Sequence, residues 1–237
     1  MQSPMSSPTD PRRVLARALV SAALAGALAC ASGCNMVGAA VVAIHGPEKI
    51  KAKYELDPNR KTVILIDDLS NRVPKRSLRD QIGRSADETL LSNDVINEGM
   101  LISADSARRA AASDSVENRM SAVDVGRRVG AEVVISVTMT GWTLHREPGV
   151  ISPAATAVVK VLDCTTNQRL WPPGEGGYEF RTEMPRSGGD LESNPSLADK
   201  AKADSGLAKY VGIELARLFF EHAKDSLRQQ QGTATTL

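Results

Sequence analysis

The chain has 237 residues, room for one ordinary domain and a leader. Apolar residues make up 42% and charged residues 24%, globular values that exclude disorder along the whole length. With 29 Lys and Arg against 28 Asp and Glu there is no basic excess to neutralise phosphates, and 3% aromatics supply few stacking platforms, so no nucleic-acid partner is expected.

The first 44 residues differ in kind from the rest. Arg12, Arg13 and Arg17 form a basic start, and no further charge follows until Glu48. Ala18 to Gly33, rich in Ala and Leu, reads as the apolar core of a secretory signal. It runs into Ala31-Ser32-Gly33-Cys34, small residues before a cysteine that resemble the lipobox of bacterial lipoproteins, with Ala31 where Leu is usual. That resemblance implies removal of residues 1–33 and acylation of Cys34 as the new first residue, with Cys30 as second candidate. Two other readings stand beside it. Ala18 to Ile44 is 27 uncharged residues, enough for an uncleaved helix across a bilayer, although Gly33, Asn35 and Gly38 interrupt it. An ordinary cleaved signal is the third. Loss of residues 1–33 would take Arg12, Arg13, Arg17 and Asp10 with it and leave 26 basic and 27 acidic side chains. Cys164 would then be the one unmodified cysteine, and no disulfide could form within the chain.

Residues 34–60 read as a lipidated start and a tether, broken up by Pro47 and Pro58, and residues 61–228 as the folded domain. Thr62 to Asp68 is a β-branched run closed by acids, the pattern of a central strand covered on both faces. Leu78, Ile82, Ala86 and Leu90 recur every four residues as one face of a helix, with Ser77 and Asp80 spaced like a capping box and Asn93 at its end. A short strand around Met100 to Ser103 and an Ala- and Arg-rich helix opened by Asp105 follow. Asp124 to Val129 reads as a short helix stopped by Gly130.

Ala131 to Trp142 is expected to be the longest strand. Alternation puts Val133, Ile135, Val137 and Met139 on one face and Val134 and Trp142 on the other. Leu144 to Ala154 is expected as a connection, Ala155 to Leu162 as a strand, Asp163 to Gln168 as a tight turn, and Arg169 to Trp171 as the returning strand. Residues 183–195 read as a polar loop. Ser196 caps a helix expected to reach Arg228, about 50 Å at 1.5 Å per residue, which must bend near Gly206 or Gly212 or project. Residues 229–237 read as a disordered tail.

The stretch Val129-Gly130-Ala131-Glu132-Val133-Val134-Ile135-Ser136-Val137-Thr138 resembles a strand motif shared by a group of envelope proteins. These are the CsgG-like curli-secretion lipoproteins, the N-terminal domain of TolB, and the lipoprotein activators of penicillin-binding proteins. Val159 to Trp171 is similar to the same group's hairpin, with Asn167 where Gly is usual. The resemblance implies an α+β domain, with a mixed sheet of four or five strands and packed helices, facing the periplasm and working through contacts with other proteins. Leu144 to Ala154 and Gly176 to Pro195 are short and polar beside the barrel-building hairpins of curli-type channels, which argues against a pore.

Asp67 and Asp68 after an apolar strand could hold a cation, or could cap nearby amides. His45, His145 and His222 have no zinc spacing, so no metal or cofactor is expected. Cys164 beside Asp163 in a turn is not set up as a nucleophile. Trp142 and Trp171 are core residues if buried and interface anchors if exposed. The residues thus point to a non-enzymatic envelope lipoprotein, anchored in the bilayer through Cys34 and binding a protein partner, with the outer membrane favoured by Asn35. A hydrolase or metal-binding protein using Asp67, Asp68 and His145, and a self-assembling homo-oligomer using the helix 196–228, are the alternatives.

Overall fold

In the computed structural model, which describes residues 48–112, 119–147, 150–185 and 196–224, Thr62–Asp67 forms a strand at the centre of the molecule. In chain order the elements are β1 (Lys49–Ile50), β2 (Thr62–Asp67), α1 (Arg76–Ser92), β3 (Leu101–Ile102), α2 (Ala104–Ala112), α3 (Ala122–Arg128), β4 (Val133–Glu147), β5 (Val150–Asp163), β6 (Arg169–Trp171), β7 (Tyr178–Glu183), α4 (Leu197–Ala216), a 3-10 turn (Arg217–Phe219) and β8 (His222–Ala223). The fold is α+β. Its six-stranded mixed sheet runs β3-β2-β4-β5-β6, and β7 pairs with β5 as well. β2 lies parallel to β3 and to β4, whereas β5 runs antiparallel to β4, β6 and β7. β1 and β8 form a separate antiparallel ribbon.

The run in β2 is apolar on both faces because both are covered. Ile64 joins Val133, Ile135, Val137 and Met139 against α1 and α4, while Val63, Leu65 and Val134 pack with Ala107, Val123 and Val125 of α2 and α3. Each such side chain contributes roughly 1.5–3 kcal/mol when fully withdrawn from water. Leu78, Ile82, Ala86 and Leu90 of α1 face Leu207, Ala208, Val211 and Leu215 of α4. The two helices approach closely at Gly212, where a Cβ would stand 2.7 Å from Ser85 Cβ and nearer still to the Ile82 carbonyl oxygen. The helix starts differ in kind. Ser121 caps α3 by accepting from Asp124 N at 3.1 Å, and Ser196 with Asp199 forms a reciprocal capping box on α4. α1 begins after Lys75 with no side-chain cap, so Ser77 lies inside the helix and the expected capping box with Asp80 does not form.

Three further expectations are corrected. The last helix ends at Ala216, not Arg228; Phe220 is extended and His222 lies in β8, because the chain turns back to pair with β1. It runs through Gly206 and Gly212 without a break. Residues 49–60 are part of the folded unit, with Leu56 buried and Tyr54 packed on the core. The connection expected between residues 144 and 154 is instead strand: β4 and β5 continue as a hairpin to Glu147 and Val150. Tyr178–Glu183, a segment the sequence leaves unassigned, is β7, with Phe180 and Thr182 buried and Glu179 and Arg181 exposed. The acylation site Cys34, the alternative Cys30, His45 and the tail 229–237 lie outside the described residues.

Candidate functional site

The carboxyl end of β2 is where the topology opens. β3 lies on one side of β2 and β4 on the other, with α1 over one face and α2 and α3 over the opposite face. In open sheets a crevice forms outside the strand ends where successive connections leave in opposite directions. Here Asp68 is buried, and its two carboxylate oxygens accept from Arg72 N at 2.7 Å and Val73 N at 2.9 Å. These bonds close the loop through Asn71, at φ +49°, and deliver the chain to the start of α1. Asp67 forms an ion pair with Arg119.

The crevice is a cavity of about 270 Å³ with Leu65, Ile66, Ala111 and Val125 in its walls. Its polar lining is Asp67 and four arginines: Arg76 and Arg79 from the first turn of α1, Arg108 from α2, and Arg119. Arg108 reaches Asp80 at 2.7 Å and Asp105 at 3.8 Å. Arg76 and Arg79 have no carboxylate partner among the described residues, and α1 carries no acid in its first turn. The sequence singled out the aspartates and missed these arginines, which come from three separate segments and share no motif.

His145 does not join Asp67 and Asp68. Asp67 pairs in register with Thr138, so His145 lies seven residues further along β4, about 23 Å at 3.3 Å per residue. Among the described residues no group of three His, Cys, Asp or Glu side chains is placed to hold a metal ion. Cys164 is buried, and desolvation pushes its thiol up to about 11 against the smaller opposing influence of Arg127.

The two tryptophans occupy opposite ends of the sheet. Trp171 is buried between Tyr178, Tyr54 and Phe219, with ring centroids 4.8, 6.1 and 6.3 Å away. Trp142 is half-buried and donates from Nε1 to Asp204 of α4 at 2.8 Å. It packs on the same cluster as Met139, not with Val134, because a register shift between Met139 and Gly141 inserts an extra residue and reverses the alternation.

Beyond Trp142 the sheet narrows to the hairpin. The last β7 pair, Glu183 with Ala154, lies opposite Thr143, and β2 has already ended opposite Thr138. Among the described strands β4 and β5 alone continue, with His145 exposed. The chain enters the sheet from the other end, where Lys53 N donates to Leu218 O at 2.7 Å beside the Trp171 cluster. No described helix is long and apolar enough to cross a membrane.

No family model matches the chain, and no curated protein does. Solved structures that match include a PelC dodecamer from Paraburkholderia phytofirmans, at 12% identity over 72% of this chain and 94% of that one, with a TM-score of 0.41. Lipoprotein GNA1162 from Neisseria meningitidis matches at 12% identity over 55% and 88%, with a TM-score of 0.37. The LpoB C-terminal domain from Salmonella enterica matches at 16% over 53% and 84%, with a TM-score of 0.28. At such TM-scores none of these likenesses assigns an activity.

Proposed function

We propose that the chain is a bacterial envelope lipoprotein of the CsgG and TolB N-terminal type, anchored through acylated Cys34 and facing the periplasm, most simply at the outer membrane. It acts without catalysis, by holding a protein partner in assembly, secretion or cell-wall regulation. The observation that carries this reading is the hairpin of β4 and β5, which extends beyond the described strands on both sides. A strand edge presents backbone donors and acceptors that another chain can pair with. The strand from Val133 and the turn at Asn167, at φ +63°, support the family likeness through the same two segments that carry it in the sequence.

A photocrosslinking residue at position 145, in the full chain in native membranes, is expected to give a discrete protein adduct. Adducts with lipid alone would overturn partner binding through this hairpin. Intact-mass analysis of the same material is expected to show a chain that starts at Cys34 and carries acyl mass, and Cys34→Ala is expected to leave the membrane fraction.

A further inference from the structure

The arginine-lined crevice has no part in that reading and stands whether or not Cys34 is acylated. Its four arginines surround a cavity with an apolar wall at the carboxyl end of β2, the position where sheets of this topology hold ligands. The described carboxylates nearby each already contact an arginine. Asp67 is paired with Arg119, while Asp80 and Asp105 both contact Arg108. Two cationic side chains, Arg76 and Arg79, remain without a counter-charge among the described residues. They sit in the first turn of a 17-residue helix, where the backbone dipole is also positive. Cations there destabilise the helix start, so the arrangement opposes folding unless an anion completes it.

We propose that this crevice binds a phosphate-class anion. The guanidinium groups of Arg76 and Arg79 have no carboxylate partner among the described residues. Their planar N–H forks suit the tetrahedral oxygens of phosphate, with Arg119 and Arg108 able to lend further donors. A cavity of about 270 Å³ admits phosphate itself or a phosphate carried on a small organic body, whose carbon portion would meet Ile66 and Ala111. Arg79, half-buried, is the deeper contact, and Arg76 closes the exposed rim.

The test is calorimetric titration of the full chain in detergent with inorganic phosphate and with glycerol 3-phosphate, against sodium chloride at equal ionic strength. Saturable binding of one or both phosphates is expected, weakened about tenfold or more in Arg76→Ala/Arg79→Ala. The control variant Arg181→Ala, at an exposed position of β7, is expected to bind like the unaltered chain. Tighter binding of glycerol 3-phosphate would assign the phosphate to an organic carrier, and tighter binding of inorganic phosphate would assign the free ion. Heats no different from chloride, or a double variant that binds unchanged, would overturn the proposal.

Discussion

The two ends of the sheet are built on opposite principles of charge. At the end where β2 and β4 begin, charges are matched. Arg60 Nη2 meets Asp163 at 2.7 Å, the other Asp163 oxygen accepts from Thr165 N and Thr166 N at 2.8 Å each, and Glu132 accepts from Lys61 N at 3.0 Å. The larger cleft at this end, about 550 Å³, is lined by both signs, and Glu221 in it is paired with Lys49 at 2.8 Å. At the end where β2 stops, arginines outnumber the acids that contact them among the described residues, and the β4–β5 hairpin extends beyond the other described strands. The first end is closed by ring packing and by the ion pairs Arg60–Asp163 and Lys49–Glu221. The second keeps an arginine-lined crevice and a hairpin that extends beyond its described neighbours.

If the matched end is the structural one, damage there should cost most. Trp171→Ala removes the ring that joins Tyr54, Tyr178 and Phe219, and should lower the unfolding free energy by about 3–5 kcal/mol in urea titration. Gly212→Ala comes next, with a loss of about 1–3 kcal/mol, since the new methyl group must displace backbone at Ile82 as well as Ser85. A Gly212→Ala protein as stable as the original would mean that α1 and α4 can separate without penalty, and the layer over β4 would not be rigid.

Carboxylates sharpen the contrast through pH. Asp163 is held down to about 2, chiefly by the amide of Thr166 and then by Arg60 and Thr165, against desolvation. Its contribution is complete above the unfolded value and is lost as pH falls towards 2. Asp87 is the reverse. Burial lifts it from 3.8 to about 7, partly offset by the bond it accepts from Ala104 N at 2.8 Å, and its other oxygen has no partner among the described residues. A carboxyl raised in the folded state stabilises below its unfolded value and loses that stability as pH rises to about 7. Between about pH 4 and 7 the native state should therefore weaken with rising pH. Asp87→Asn should flatten that slope and gain on the order of 1–2 kcal/mol at pH 8. Asp163→Asn should instead flatten the acid limb, below about pH 4.

The apolar periodicities made most of this scaffold legible. The double coverage of β2, the four-residue spacing in α1 and the turn at Asn167 each rest on local chemistry written in consecutive residues. The end of α4 was not legible, because Leu218, Phe219 and His222 continue a helical spacing and only pairing with Lys49–Ile50 turns them into strand. Trp142 fell on the wrong face because a one-residue shift leaves no mark in composition. β7 does alternate, with Phe180 and Thr182 inward, but its six residues are half charged and carry no strand signal until β5 supplies a partner. The arginine crevice was the least legible of all. Its members come from α1, α2 and the residue that follows the undescribed segment 113–118, and the topology alone brings them together.

The smallest effect decides the most about the surplus end. Arg76 and Arg79 are three residues apart at the start of α1, where like charges repel by about 0.2–0.5 kcal/mol and the helix dipole opposes cations, both effects being screened by salt. Without a ligand, Arg76→Ala/Arg79→Ala should therefore change stability by no more than about 0.5 kcal/mol, and in the direction of gain. Added sodium chloride should stabilise the unaltered chain more than the double variant, because at about 0.1 M screening acts over roughly 10 Å and relieves a repulsion only the former has. Chemical denaturation by urea at two salt concentrations measures both quantities. A loss above about 1 kcal/mol would make these arginines structural, paired in solution with acids elsewhere in the chain, and the two ends would no longer differ in kind.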